Sequence, residues 1–260
     1  MRFNLLGPLE VLDDQGRPVP LAPKPGQLLA LLLIDAGRVI PTEALIGELW
    51  GDTVPASART IVQTYVYQLR KSLGGGSHAG PRLRTSQSGY LVRIDDDILD
   101  LHEFDRLTTS GQRLLSRGDA LSATAELRAA LELWRGPVLS GVSAGPVLSR
   151  HRLRLEENRF NAIEMRIEAD LQLGRHHELI GELKSLTATE SHNELLHAQL
   201  IRALRRAGRR GEALAVYQRL ERGLAETFEI LPSAALRRLH ADLLQADLGG
   251  STTEPQAAVE

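Results

Sequence analysis

The stretch "ARTIVQTYVYQLRKSLG", residues 58–74, decides the fold class of the first part of this chain. Its apolar residues Val62, Val66, Leu69 and Leu73 recur at intervals of four, three and four, which predicts a helix with one buried stripe. The opposite side of this helix carries amide, hydroxyl, aromatic and cationic groups and no acid. These outward residues are Gln63, Thr64, Tyr67, Gln68, Arg70 and Lys71.

The charge around this helix is unevenly distributed. The 260-residue chain is nearly neutral, with a formal net charge of −2, yet no Asp or Glu occurs from Thr53 to Ile94. The basic residues of that segment are Arg59, Arg70, Lys71, Arg82, Arg84 and Arg93. A basic stretch in a neutral chain is typical of a surface that meets a polyanion. The alternative is a solvated face whose compensating acids lie nearby in space.

The elements on either side indicate which fold contains this helix. Residues 1–25 carry turn signals between two or three short strands. A compact helix closed by Gly37 follows, and then a second helix with Thr42 as its cap, Glu43 in its first turn and Gly51 at its end. After the basic helix, "LRTSQSGYLVRI" predicts a strand, a turn at Ser88 and Gly89, and a second strand.

Strands, three helices and a hairpin in this order describe a winged helix-turn-helix, whose third helix enters the DNA major groove. Thr64 and Gln68 lie one turn apart and face outward, so we predict that they reach base edges, where Gln pairs with adenine and Thr contacts a thymine methyl group. The flanking residues suit phosphate contacts, which position a protein without reading sequence. These are Arg59, Tyr67, Arg70 and Lys71 on the helix and Arg82 and Arg84 on the wing. We expect Gln68 and Arg70 to be exposed. The alternative is an ordinary amphipathic helix with a polar surface.

Beyond residue 95 nearly every segment predicts helix, with short breaks at glycine. Gly174 and Gly208 are 34 residues apart, which is the tetratricopeptide period, and Ala213 and Tyr217 suit the small and aromatic packing positions of such a repeat. Helix-pair arrays present surfaces for proteins. A basic cluster at Arg205, Arg206, Arg209 and Arg210 suits an acidic partner or DNA phosphate, although charge balance at a helix C-terminus is the favoured explanation.

Several function classes are disfavoured by composition. The chain has no cysteine, and its longest apolar run, "LLALLLI", is far shorter than a membrane span, so we expect a cytoplasmic protein that binds no membrane. His176 and His177 are adjacent, so on a helix they do not share a face as metal ligands would. The acids Asp95–Asp97 are best explained as a solvated turn. We expect no catalytic residue, no metal and no cofactor, hence a protein that is not an enzyme.

Several motifs of the sequence resemble those of a known family. "RTIVQTYVYQLRKSLG" followed by "SGYLV" resembles the OmpR-type winged helix, and "LLGPLEV", "GELWGD", "AALELWRG", "DLQLGRHHEL" and "LPSAALRRLH" are similar, in order, to the Streptomyces antibiotic regulatory protein family. That resemblance implies a mostly α fold with a small β part: an OmpR-type winged-helix domain at 1–94 and an all-α, tetratricopeptide-like bacterial transcriptional activation domain at 95–247. We expect the tail at 248–260 to be disordered.

The resemblance also implies function. Family members activate antibiotic and other secondary-metabolite gene clusters by binding direct repeats in double-stranded promoter DNA near the −35 element and recruiting RNA polymerase holoenzyme, including its sigma subunit. The family's DNA-facing helix positions fall on Thr64, Gln68, Arg70 and Lys71, and a basic backbone-contacting position falls on Lys24. A second copy is expected beside the first on DNA.

Two other functions stay open. A repressor uses the same DNA-binding fold, and a helical-repeat adaptor for proteins or a small ligand would need the first domain only as a platform. We also expect no receiver domain before residue 1, and therefore control by protein abundance rather than by phosphorylation of an N-terminal aspartate.

Overall fold

The computed structural model describes residues 1–76, 80–94 and 98–245, and these are mainly helical with a few short strands. The predicted fold class, mostly α with a small β part, is confirmed. The acidic triplet Asp95–Asp97 and the tail at 248–260 lie outside the described residues. Among the helices that the structure describes, none has both the length and the apolar character needed to cross a lipid bilayer.

Two compact units divide the chain. The first contains Met1–Arg117 and Ala125–Ile163, and the second contains Gly118–Thr124 and the chain from Glu164 onward. The first unit therefore holds residues from both sides of the boundary predicted between residues 94 and 95. That boundary stays a prediction of where two sequence modules meet.

A small sheet opens the first unit. β1 (Arg2–Asn4) pairs antiparallel with β2 (Glu10–Leu12) and parallel with β8 (Ile98–Leu99), so β1 is the central strand. Because β1 has an antiparallel neighbour on one side and a parallel neighbour on the other, the chain must leave the sheet after β2 and return to it at β8. The winged helix lies in that excursion, between β2 and β8.

Three helices follow β2. They are α1 (Pro23–Ile34), α2 (Thr42–Trp50) and α3 (Ala58–Leu73). Helix α1 is buried over nearly its whole length from Pro25, because α2, α3 and a strand of the wing all pack against it. A helix that is apolar on every side is stable only in such a central position.

The predicted ends of α2 and α3 are correct, whereas α1 ends at Ile34, before the predicted closing residue Gly37, whose N–H donates to the Val92 carbonyl oxygen of the wing. All four stripe residues of α3 are 0–2% exposed, and Gly74, with φ 66°, ends the helix as expected. Gly51 also ends α2. Thr42 is not the cap of α2 but its first residue, and Pro41 before it makes no side-chain cap. The Thr42 N–H instead donates to the Ser88 carbonyl oxygen at 3.1 Å, so the wing satisfies it.

The wing is the predicted hairpin. β6 (Leu83–Thr85) and β7 (Gly89–Val92) pair antiparallel, and β7 also pairs with β3 (Ile40–Pro41). A Cβ atom on Gly89 would lie 1.9 Å from the Ile40 carbonyl oxygen, so glycine is required where these two strands meet. A shorter antiparallel pair, β4 (Gly75–Gly76) with β5 (Gly80–Pro81), precedes the hairpin.

The next two helices are α4 (Asp100–Ser116), which lies in the first unit, and α5 (Ala120–Glu132), whose residues from Ala125 onward lie in it. They approach closely, since a Cβ atom on Gly111 would lie 2.6 Å from Leu127 Cγ. Helix α6 (Pro146–Gln172) is 27 residues long, and the division between the two units falls within it.

The second unit continues with helices joined by short turns. They are α7 (His176–Thr189), α8 (Glu194–Arg206), α9 (Arg210–Phe228) and α10 (Ala234–Gln245). Helix α8 packs against both α7 and α9. Gly174 and Gly208 adopt left-handed conformations, with φ 78° and 74°, at the two predicted turns, and Ala213 and Tyr217 are buried as predicted. The repeat spacing therefore corresponds to real helix pairs.

Candidate nucleic-acid interface

The outward face of α3 is exposed as the periodicity predicted. Gln63, Thr64, Tyr67, Gln68 and Lys71 are all exposed, and the Tyr67 side chain is 69% accessible. No acidic side chain lies on this helix. Tyrosine is enriched in binding interfaces, so an exposed Tyr67 beside amides and a cation suits a surface that binds another molecule.

The two predicted base-reading residues lie one turn apart on this face. The Thr64 hydroxyl donates to the Thr60 carbonyl oxygen of its own helix at 3.0 Å, which leaves its methyl group and an oxygen lone pair available. Within the described chain, the Gln68 amide and the Lys71 ammonium make no hydrogen bond, so each is available to a ligand. Both also line a cavity of about 320 Å³ beside the segment 20–25.

Arg70 departs from its predicted position. Its side chain is half-buried, Nε donates to the Leu83 carbonyl oxygen at 3.0 Å, and Nη2 donates to Thr85 Oγ1 at 2.7 Å. The prediction that this side chain is exposed is wrong, because the wing strand β6 packs beside the last turn of α3 and offers acceptors there. The guanidinium group therefore ties the helix to the wing.

Arg82 has a similar structural role. It is half-buried, and Nη1 donates to the Leu73 carbonyl oxygen at 2.9 Å, which satisfies one of the carbonyl groups left unpaired at the end of α3. Arg84, the other predicted wing contact, is also half-buried on β6. Arg82 thus contacts the end of α3 and directs part of its hydrogen-bonding capacity inward.

Two further predicted phosphate contacts have partners within the first unit. Arg59 Nη2 donates to Glu43 Oε1 at 2.5 Å, and the two side chains are 77% and 66% exposed. Such an exposed ion pair contributes little to stability, so another anion can replace Glu43 as the partner of Arg59 at little cost. Lys24 is half-buried and its Nζ donates to the Leu49 carbonyl oxygen at 2.5 Å, so its ammonium is more firmly held.

One residue that the sequence did not identify organises the first unit. Glu48 of α2 is only 3% exposed, and its carboxylate accepts backbone N–H groups of Gly145, Val147 and Leu148 at 2.6, 2.8 and 3.3 Å. It therefore caps the N-terminus of α6 from another helix. An acid that falls on the buried side of an apolar helix, next to Leu49, was the available signal.

A second buried acid fixes the start of α4. Asp100 Oδ2 accepts the N–H groups of Leu5 and Leu6 at 2.8 and 2.9 Å, just after β1. Burial raises the pKa of this carboxyl, whereas these hydrogen bonds and the charge of Arg135 act to lower it. Both carboxylates thus hold backbone N–H groups of distant segments.

In the described part of the chain, no group of three His, Asp or Glu side chains is placed to hold an ion. The adjacent residues His176 and His177 start α7, where one is half-buried and the other exposed. This difference in burial is in line with adjacent helical residues that point about 100° apart.

Each half of the chain matches a known family of transcriptional regulators. Residues 16–92 match the family described as "Transcriptional regulatory protein, C terminal", and residues 99–244 match the "Bacterial transcriptional activator domain". Regulatory protein DnrI of Streptomyces peucetius is 42% identical over 98% of this chain and 96% of its own length. Regulatory protein AfsR of Streptomyces coelicolor is 38% identical over 99% of this chain, which spans only 26% of AfsR.

A solved structure is also similar. EmbR of Mycobacterium tuberculosis is 36% identical and superposes with a TM-score of 0.88, covering 94% of this chain and 65% of the EmbR chain. These relatives are named as regulators and not as enzymes. The chain therefore belongs to the Streptomyces antibiotic regulatory protein family of transcriptional regulators, as its ordered motifs, its winged helix and these matches show.

Proposed function

We propose that this protein is a sequence-specific DNA-binding transcriptional activator of an antibiotic or other secondary-metabolite gene cluster. The observation that carries the proposal is the outward face of α3, which is exposed, free of acids and opposite a fully buried stripe. Such a helix in a winged fold lies in the major groove. The protein acts in the cytoplasm, needs no cofactor and is not an enzyme.

Base reading is assigned to Thr64 and Gln68. Their spacing of one turn matches neighbouring base pairs along the groove, and the Gln68 amide has both a donor and an acceptor for the N6 and N7 atoms of adenine. Tyr67 and Lys71 flank them and suit phosphate oxygens. Arg59 joins this set when a phosphate replaces Glu43 as its partner.

The other predicted contact residues position the elements around α3. Arg70 and Arg82 join α3 to the wing, and Lys24 joins α1 to the end of α2. Together with Arg84 on β6, these cations give the region around α3 a positive potential. We therefore assign Arg70 to orientation of the wing first and to phosphate second. Phosphate contacts make the affinity fall steeply with salt.

Activation requires a protein partner. We propose that two copies bind neighbouring direct repeats near the −35 element, and that the helical pairs of the second half contact RNA polymerase holoenzyme, including its sigma subunit. Stacked helix pairs are suited to this because they offer a continuous surface. The two competing functions are a repressor on the same DNA and a helical-repeat adaptor that does not bind DNA.

A footprint on promoter DNA from the neighbouring genes distinguishes these functions. It is measured with and without RNA polymerase holoenzyme, at low and at high salt. An activator protects short direct repeats, and polymerase strengthens that protection. Protection that excludes polymerase identifies a repressor, and no protection at low salt leaves only the adaptor.

Point variants then test the contact assignment. Gln68→Ala removes a bidentate base contact, so binding to the preferred repeat weakens by about 1–3 kcal/mol while non-specific binding is unchanged. Lys71→Ala weakens binding to all sequences alike and lowers the salt slope by about one. Arg113→Ala, an exposed cation on α4, is the control with wild-type affinity.

Arg70→Ala is unsuitable for this purpose because it also loosens the wing. If Gln68→Ala leaves the preference for the repeat intact, the assignment of Gln68 is wrong even though the protein binds DNA.

A further inference from the structure

A cavity of about 560 Å³ lies in the second unit, where three helices and one side chain of a fourth meet. Its walls come from the end of α6, the start of α7, the end of α8 and Leu239 of α10. Its volume is within the range of pockets that hold small organic molecules, which is about 300–1,000 Å³. The DNA-binding assignment uses none of these residues.

Three cations converge on this cavity. Arg202, Arg205 and Arg206 all belong to the last turns of α8 and line the same opening. Arg202 and Arg206 are four residues apart, where like charges on a helix repel each other. A favourable interaction with the helix dipole explains why cations occur in this turn, but it does not explain why all three face one cavity.

The acids around the cavity do not balance these cations. Glu168 lines it and lies 3.7 Å from Arg202. In the part of the chain that the structure describes, neither Arg205 nor Arg206 forms an ion pair. Besides His176, the charged side chains that line the cavity are therefore three arginines and one glutamate.

His176 offers a further polar group at this site. Its Nδ1 atom is buried and has no hydrogen-bond partner among the described residues. Burial lowers the pKa of the imidazole, and the nearby positive charges of Arg206 and His177 lower it further, which favours the uncharged ring.

We propose that this cavity binds a small organic phosphate, a monoester whose dianionic group meets Arg205, Arg206 and the His176 imidazole and whose apolar body lies against Leu171 and Leu239. Arginine suits this ligand because its planar fork matches two phosphate oxygens at once. Two uncompensated positive charges match the dianion. The site gives the regulator a means of sensing a metabolite, and its existence does not depend on DNA binding.

The test is direct titration of the full chain with phenyl phosphate, followed by heteronuclear NMR, with benzyl alcohol as the uncharged control. We expect saturable shifts at α7 and the end of α8 with phenyl phosphate and none with benzyl alcohol. Arg205→Gln and Arg206→Gln should each weaken binding by about tenfold, which corresponds to one charge-assisted hydrogen bond. Arg113→Gln, on α4, should leave it unchanged.

Thermal unfolding of each variant establishes that it is folded. The proposal is overturned if millimolar phenyl phosphate produces no saturable shift, or if both arginine variants bind it as the wild type does. A glutamate-rich peptide serves as the alternative ligand. If the peptide binds this site and phenyl phosphate does not, the cavity is a contact for an acidic protein segment and the small-molecule assignment is wrong.

Discussion

Replacement of Glu48 by glutamine isolates the contact that joins the winged helix to the long helix α6 within the first unit. The carboxylate of Glu48 accepts N–H groups from Gly145 at 2.6 Å and from Val147 at 2.8 Å, with a longer bond from Leu148. These groups belong to the first turn of α6 and its preceding residue, where no intrahelical acceptor exists. Glu48→Gln keeps the size of the side chain and removes its charge and one acceptor oxygen.

The expected loss follows from these contacts. A hydrogen bond to a charged group contributes about 1.5–3 kcal/mol, and a buried donor left without a partner costs about 1–3 kcal/mol. The amide retains one oxygen for Gly145, while its NH₂ group faces the N–H of Val147. We therefore expect the free energy of unfolding of the first unit to fall by roughly 2–4 kcal/mol, which lowers Tm by about 5–15 °C.

Urea denaturation followed by tryptophan fluorescence measures this loss, because both tryptophans, Trp50 and Trp134, belong to the first unit. Glu43→Gln on the same helix is the matched control, since Glu43 is exposed and its ion pair is with the exposed Arg59. That control should lose less than about 1 kcal/mol. Equal losses in the two variants, or a loss below 1 kcal/mol for Glu48→Gln, would refute the capping role.

Three further changes test other contacts. Arg70→Ala removes both hydrogen bonds to the wing, and urea denaturation should show a loss of about 1–3 kcal/mol that Arg70→Lys does not restore. Hydrogen bonds from Arg209 and from a lysine of α7 lower the Glu212 pKa from 4.5 to about 2. The stabilisation by the Glu212 carboxylate is therefore present above pH 4.5 and is lost as the pH falls towards 2. Arg209→Gln should raise the midpoint of the Glu212 titration measured by NMR, and an unchanged midpoint would contradict this. Gly89→Ala should lower Tm because its methyl group meets a carbonyl oxygen of β3, whereas Gly47→Ala, a helical site with open space, should not.

Much of the candidate interface could be predicted because it depends on local spacing. The stripe of α3 and its exposed face follow from a period of 3.6 residues, and the hairpin follows from the turn at Ser88 and Gly89. The predicted exposure of Arg70, in contrast, was wrong. Its position on the helix was read correctly, but its exposure depends on the strand β6 that packs beside it, and no local pattern encodes that approach.

What the sequence by itself determined is the order and type of the elements, the outward residues of α3, the glycine turns of the helical pairs and the family. These properties arise between residues that are near each other in the chain, where backbone geometry and hydrophobic periodicity act directly. Only the tertiary structure decided that Glu48 caps a helix about a hundred residues away, and that three arginines of α8 share a cavity with His176. Hydrogen bonds and charges act over a few ångströms, so their partners are known only when distant segments have been brought together.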